Sequence, residues 1–326
     1  MSGLLHLRVA HCESLHPLIR RLVLQSLTGE ALPGFTAGAH VRVGVTLPDG
    51  TPDWRHYSLV NTQALPGATH APTQYEIAIR REDKGRGGSR FVPTLACGDV
   101  VQVGLPKNDF PLLPGAAPVL LVAGGIGVTP LLSMAAELRA AGRRVRMVYA
   151  SRSREQMAYL EPLQALLGAD LRVHSDEEAG GPLDTDALID GCLSDEVIYL
   201  CGPQPMLDAV LAGAKARAWP AGRVQFELFA AAAPVAGDQA FEVVLAQSGV
   251  TYQVAADQSI LGCLLAHGVD PIHDCDRGEC GVCAVPVIDG EVDHRDHVLS
   301  DAEKATHKVI QICVSRARGP RLVLDL

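Results

Sequence analysis

Clusters of basic residues are missing from this chain. Lys and Arg number 28 against 37 Asp and Glu, the formal net charge is −9, and no lysine- or arginine-rich block occurs. That excludes the electrostatic footprint of a nucleic-acid binder. A long apolar run is missing too. The longest, from Pro118 to Leu132, is interrupted by Gly124, Gly125 and Gly127 and falls short of the ~18 apolar residues a spanning helix needs. The start of the chain shows no charged segment, apolar core and small-residue cleavage site in succession, so no signal peptide is read there. A cytoplasmic protein without membrane contact is the expectation. No internal repeat is visible. What the chain does have is length and apolar material: 326 residues at 48% hydrophobic composition suffice for two or three domains with cores of their own.

Nine cysteines stand out. An odd number scattered over so long a chain makes a poor disulfide framework, and metal binding is expected instead. Cys12, Cys97, Cys192, Cys201 and Cys263 lie far apart and read as small buried residues, with Cys263 packing beneath the loop that follows it. Cys275, Cys280 and Cys283 are crowded together, and Cys313 follows after 29 intervening residues. This C-x4-C-x2-C…C spacing is that of plant-type 2Fe–2S ligation. Two sulfide-bridged irons need four thiolates, three of them from one tight loop, and Gly278 and Gly281 give that loop a permissive backbone. A four-cysteine zinc site is the alternative, but zinc sites usually present two short ligand pairs. His294 and His297, beside Asp293, read as solvated side chains of a polar loop.

Three segments follow one another. To about residue 112 the rhythm is β: Val41, Val43 and Val45, then Tyr75, Ile77 and Ile79, then Val101, Val103 and Leu105 alternate with polar or small residues. Short strands with spaced turns predict an antiparallel β-barrel over 1–112. From 113 to 229 an unbroken apolar run, PVLLVAGG, opens a strand–helix alternation that predicts a doubly wound α/β domain. In its first helix Thr129 is placed to cap, Pro130 takes the first position and Gly142 lies just past the end. A second helix is read over REQMAYLEPLQALLG and a third from about Pro205 to Trp219. Residues 230–239, Ala-rich and aperiodic, read as a linker. The remainder, 240–326, begins with a hairpin around Gln247-Ser248-Gly249, and a short helix over Ile260 to His267 precedes the cysteine loop.

Two further motifs carry chemistry. Arg55-His56-Tyr57-Ser58 offers a cation, an aromatic plane and a hydroxyl within four residues, and Gly87-Gly88-Ser89 offers free amides where a helix could start. Together they suit a flavin; separately each could be a strand end or an ordinary turn. Gly125-x-Gly127-x-Thr129-Pro130 joins a buried strand to a helix, where glycines let a pyrophosphate approach and the helix N-terminus favours its charge. It departs from G-x-G-x-x-G, since the third glycine's place falls on Pro130.

The DCDRGECGVC loop behind these two modules resembles the phthalate dioxygenase reductase family, which includes the vanillate O-demethylase reductases. These are the reductase components of Rieske-type oxygenase systems. The resemblance spans essentially the whole chain, in the order flavin, nucleotide, iron–sulfur. It implies a C-terminal α+β ferredoxin of β-grasp type, FMN in place of FAD, and a terminal oxygenase as partner. It implies that Arg55 holds phosphate, Tyr57 lines the flavin ring, Ser58 faces N5, and Gly87, Gly88 and Ser89 complete the phosphate site. The G-x-G-x-T-P variant belongs to the ferredoxin-reductase-like families. Cys201, followed by Gly202 and Pro203, is implied to sit beside the nicotinamide and the flavin; alternatively it is a buried strand-end residue. Phe229 resembles the aromatic that closes over the flavin, or serves as a core aromatic. NADH is implied as coenzyme, although Arg152 and Arg154 at a strand end would suit the 2′-phosphate of NADPH.

No Rieske Cys-His pairing or 2-His-1-carboxylate set is placed in the sequence, so the terminal acceptor is expected on another protein. A free monomer is expected; the alternative is a subunit held permanently in a dehydrogenase complex. Thirteen Asp or Glu against seven Lys or Arg in 240–326 give this segment −6 of the total. Asp270, Asp274, Asp276 and Glu279 flank the cysteines, so an acidic docking face is expected there.

Overall fold

Alternation becomes strands where the sequence shows it. The computed structural model describes residues 3–60, 71–82, 88–220, 222–229, 235 and 237–326. The first six strands are β1 (Leu4–His16), β2 (Ile19–Ser26), β3 (His40–Thr46), β4 (Pro52–Ser58), β5 (Gln74–Arg80) and β6 (Val100–Gly104), with the short helix α1 (Gly88–Phe91) before β6. They form an antiparallel sheet in the order β4-β3-β6-β1-β2-β5. The two edges approach where Val60 N–H donates to the Glu76 carbonyl at 2.8 Å. Val41, Val43, Tyr75, Ile77, Val101 and Val103 all point into its core. Leu105 falls beyond β6 and is half exposed.

The α/β layer comprises β7 (Val119–Gly124), α2 (Val128–Ala140), β8 (Val145–Ser151), α3 (Leu160–Leu167), β9 (Leu171–Ser175), α4 (Asp176–Ala179), α5 (Thr185–Asp190), β10 (Val197–Cys201), α6 (Gln204–Ala216) and β11 (Val224–Glu227). All five strands are parallel, in the order β11-β10-β7-β8-β9. Every residue of β7, the middle strand, is buried. Strand order reverses between β7 and β10, and such a switch point opens a crevice at the carboxyl ends of the strands.

Three local expectations change. Helix α2 begins at Val128 behind a 3₁₀ turn over Gly125–Gly127, so Thr129 and Pro130 lie inside its first turn, where backbone N–H groups have no helical acceptor. Thr129 Oγ1 donates to the Ile126 carbonyl at 3.0 Å and caps nothing. The helix expected from Arg154 starts only at Leu160, because the ring of Pro162 would clash with the carbonyl four residues back. Tyr159 precedes it in the left-handed region, φ 60°.

Barrel and α/β layer together make one compact unit, 1–227, and the second unit is 228–326. Glu76, buried in β5, accepts both Arg21 nitrogens at 2.8 Å and the Tyr159 hydroxyl at 2.9 Å, joining barrel to α/β layer. Gly38 N–H donates to Ser133 Oγ of α2 at 3.2 Å.

The second unit contains β12 (Phe241–Leu245), β13 (Thr251–Val254), α7 (Ile260–Ala266), β14 (Ala284–Asp289), β15 (Val292–Asp293), α8 (Asp301–Lys304), β16 (Val309–Gln311), β17 (Arg316–Ala317) and β18 (Arg321–Leu324). Its mixed sheet runs β13-β12-β18-β14-β16, with β12 and β18 parallel. Ser259 caps α7 by accepting Gly262 N–H at 3.0 Å. The unit starts earlier than 240. Leu228 is buried, its N–H donates to Glu279 Oε2 at 2.8 Å, and Asp238 is ion-paired with Arg295. Arg316 donates to the Gln239 carbonyl at 3.0 Å. The end of the expected linker is thus tied to this unit. Among the described residues no helix is long and apolar enough to cross a membrane.

Candidate redox-cofactor sites

Strand β4 carries Arg55, Tyr57 and Ser58 in register with Val43, Val41 and His40 of β3. Arg55 Nη1 is held by Asp53 and by the Trp54 carbonyl at 2.7 Å. Three buried polar atoms in this short stretch, Arg55 Nη2, Tyr57 Oη and Ser58 Oγ, have no hydrogen-bond partner among the described residues. Such atoms are costly unless a ligand satisfies them. Burial also pushes the Tyr57 phenol above its usual range, keeping it a neutral donor. Gly88 lies against Arg55, and a Cβ there would stand 2.3 Å from Arg55 Nε. Strand and glycine motif therefore meet, although Gly87 lies outside the described residues. Ser89 Oγ accepts the Glu82 N–H at 2.9 Å. A cation, a glycine and unsatisfied donors side by side fit a flavin phosphate and ring edge.

At the switch point the two nucleotide motifs pack backbone to backbone. A Cβ on Gly127 would lie 2.2 Å from the Cys201 carbonyl oxygen, and one on Gly124 would lie 2.5 Å from Pro203 Cδ and 3.1 Å from Gly202 Cα. Gly125, φ 55°, has open space on its side-chain face. The glycines thus permit the close approach of β7 and β10 loops and leave a free backbone surface, as a dinucleotide requires. Cys201 is fully buried.

Two residues missed in the sequence link these sites. His40 pairs with Ser58 across β3–β4, Glu227 pairs with Cys201 across β10–β11, and His40 Nδ1 stands 4.0 Å from Glu227 Oε1. Both side chains are buried. The only signal for Glu227 was an acid in the apolar segment FELF; His40 gave none. Phe229 is 39% exposed and belongs to the second unit.

In that unit the four cysteine sulfurs form two pairs. The thiols of Cys275 and Cys280 are hydrogen-bonded, and Cys283 Sγ lies 3.1 Å from Cys313 Sγ. Among the described residues no three His, Cys, Asp or Glu side chains converge on a single-ion site. Two sulfur pairs, with three of the four cysteines on one loop, suit a pair of bridged irons. The Cys280 thiol, with the backbone N–H groups of Arg277, Glu279 and Cys280, holds the Cys275 thiol below its usual range. The Cys283 thiol, then burial, push Cys313 up instead. Gly278 and Gly281 have φ 78° and 77°, and a Cβ on Gly278 would stand 2.6 Å from Val314 Cγ2.

Two expectations around this loop are overturned. Glu279 is not on a docking face: its side chain is 11% exposed, paired with buried Arg277 at 2.9 Å and bonded to Leu228 N–H. His294 is not solvated: its ring is buried, 3.5 Å from Asp296 Oδ1 and stacked on His307. His297 is exposed.

Comparison with known proteins follows the same division. A 2Fe-2S iron-sulfur cluster binding domain matches residues 243–318, and an oxidoreductase NAD-binding domain matches 121–211. The chain is 39% identical over 334 residues to phthalate dioxygenase reductase of Burkholderia cepacia, covering 100% of this chain and 98% of that one. It is 40% identical over 327 residues to the heme-dependent oxidative N-demethylase beta subunit of Ectopseudomonas mendocina (strain ymp), covering both chains fully. A solved phthalate dioxygenase reductase, described as a modular structure for electron transfer from pyridine nucleotides to [2Fe-2S], superposes with a TM-score of 0.74 at 38% identity. That match covers 99% of this chain and 98% of the other. With a nicotinamide-binding layer and a 2Fe–2S unit on one polypeptide, the chain belongs to the phthalate dioxygenase reductase-like family of oxidoreductases.

Proposed function

We propose that this chain is the reductase component of a Rieske-type oxygenase system, with FMN and a 2Fe–2S cluster as resident groups and NADH as electron donor. The observation that carries it is the pairing of the four sulfurs in a chain related along its whole length to a phthalate dioxygenase reductase. Bound flavin and cluster supply the conversion of a two-electron hydride into single electrons near roughly −400 mV for reference plant-type clusters.

The chain's own residues position these groups. Arg55 and Gly88 are suited to the flavin phosphate, Tyr57 to the face of its ring and Ser58 to its polar edge. Gly124, Gly127 and Gly202 bring two loops close enough for the coenzyme to lie across the switch point, while buried Cys201 walls off water. No general base is needed, because hydride transfer asks only for alignment and dryness. Cys275 and Cys280 would hold one iron, and Cys283 and Cys313 the other. NADH is favoured because Arg154 is engaged by both oxygens of Glu178, at 3.0 and 3.1 Å, leaving Arg152 as the remaining cation for a 2′-phosphate. The free protein is read as a cytoplasmic monomer.

The visible spectrum and cofactor content test this reading. One FMN and one 2Fe–2S cluster per chain are expected; zinc without iron, or FAD on denaturation, would contradict it. Cys280→Ser should abolish the cluster and transfer to a one-electron protein acceptor, yet leave NADH–ferricyanide activity standing. The N-demethylase relative, named as a subunit, favours a second reading: a permanent subunit of an oxidative complex. Size exclusion of the native protein separates the two, since a permanent subunit elutes with its partner.

A further inference from the structure

Cys12 and Cys97 are 85 positions apart and play no part in either cofactor site. Yet their sulfurs lie 3.3 Å apart on the barrel surface, Cys97 exposed and Cys12 half-buried. We propose that they form a peroxide-sensitive dithiol that closes to a disulfide and staples β1 to the turn before β6.

The backbone on both sides is fixed. Cys97 lies in a turn closed by Ala96 N–H to Asp99 Oδ2 at 2.8 Å and Asp99 N–H to the Ala96 carbonyl at 3.1 Å. Gly98 takes φ 100° within it. This turn docks on β1 through Val9 N–H to the Asp99 carbonyl at 2.8 Å and Gly98 N–H to the Val9 carbonyl at 2.9 Å. Cys12 is held in β1 opposite Leu22. A disulfide bond is ~2.05 Å long, so closure asks the sulfurs to move little more than ~1 Å.

The two thiols are unequal. The Cys97 thiol, and behind it the Arg20 guanidinium, hold Cys12 below the usual thiol range. Arg20 is itself fixed by the Pro93 and Leu95 carbonyls at 3.0 and 2.6 Å. Cys12 is therefore the nucleophile. Its thiolate attacks one oxygen of hydrogen peroxide, the O–O bond breaks, and the departing hydroxide takes a proton to become water. The Cys97 sulfur, losing its proton, then displaces the second oxygen from the Cys12 sulfenic acid as another water. Two thiols and one peroxide become one disulfide and two waters. The bond would tie β1 to the segment running on from α1, whose Gly88 abuts Arg55.

The test treats the holoprotein with hydrogen peroxide, blocks free thiols with iodoacetamide and maps tryptic peptides. A Cys12–Cys97 cross-linked pair, lost on dithiothreitol treatment, is expected; these two residues recovered alkylated, over-oxidised or bonded elsewhere would overturn the proposal. Both tryptophans, Trp54 and Trp219, lie in the first unit, so their fluorescence reports its unfolding whatever happens to the cluster. The oxidised protein should unfold about 5 °C or more higher, reversed by dithiothreitol and absent in Cys97→Ser. A cross-link without that rise would overturn the staple.

Discussion

One methyl group at position 127 would be felt in the neighbouring strand. Its carbon would have to sit 2.2 Å from a backbone carbonyl of Cys201, an atom no rotamer change can move aside. Gly127→Ala should therefore push the two loops apart and lower kcat/KM for NADH about 100-fold, the cost of a misplacement of about 1 Å. Steady-state assay with ferricyanide reads this without involving the cluster. Cys192 makes a contrasting case. Burial, then the Glu196 carboxylate, push its thiol up to about 11, so its thiolate is scarce at neutral pH and gathers only as pH rises. Its alkylation rate, followed by peptide mass spectrometry, should climb ~10-fold per pH unit to pH ~10, where an ordinary thiol of pKa ~8.5 levels off near pH ~9. Residue spacing singled out the cysteines proposed as cluster ligands because three of them are local. It could not reveal that Cys12 meets Cys97, which depends on β6 lying beside β1, nor that Glu279 turns inward to Arg277.

Among the elements, β5 and the segment before α3 share more than a boundary. Glu76 satisfies Arg21 and Tyr159 at once, and Tyr159 needs its left-handed backbone to start α3 where Pro162 allows. Glu76→Ala leaves a buried hydroxyl and a guanidinium without this acceptor. The first unit should lose about 3 kcal/mol, the low end for breaking a buried pair because Arg21 retains Glu13, and unfold roughly 6–12 °C lower by tryptophan fluorescence. The strands were legible because their alternation is the burial pattern itself. The true start of α3 was legible too, in Pro162, but a strong apolar period over fourteen residues masked it. The order of strands in either sheet is a tertiary outcome that no local period records.

For the molecule as a whole, the acidic excess of the second unit is only partly outward. Asp296 accepts Val298 and Leu299 N–H groups inside a loop and Glu279 is internal, whereas Asp270 is 81% and Asp276 42% exposed. Exposed Ile272, Val282 and Val298 accompany the cysteine loop, so a partner docking there would meet apolar side chains as well as charge. Electron transfer to the cognate oxygenase should slow as salt rises and the Debye length falls from ~10 Å at 0.1 M. Asp270→Lys with Asp276→Lys should slow it at least ~10-fold at low salt while flavin reduction by NADH is unchanged, as stopped-flow absorbance would show. The passage from one unit to the next has a mechanical side. Glu227 ends the parallel sheet beside Cys201, and the very next residue, Leu228, is fastened to Glu279, the neighbour of Cys280. Within the second unit, tension on Leu228 meets the cysteine loop before it meets any strand of the sheet, so a pull there is a pull on the cysteines proposed to hold iron.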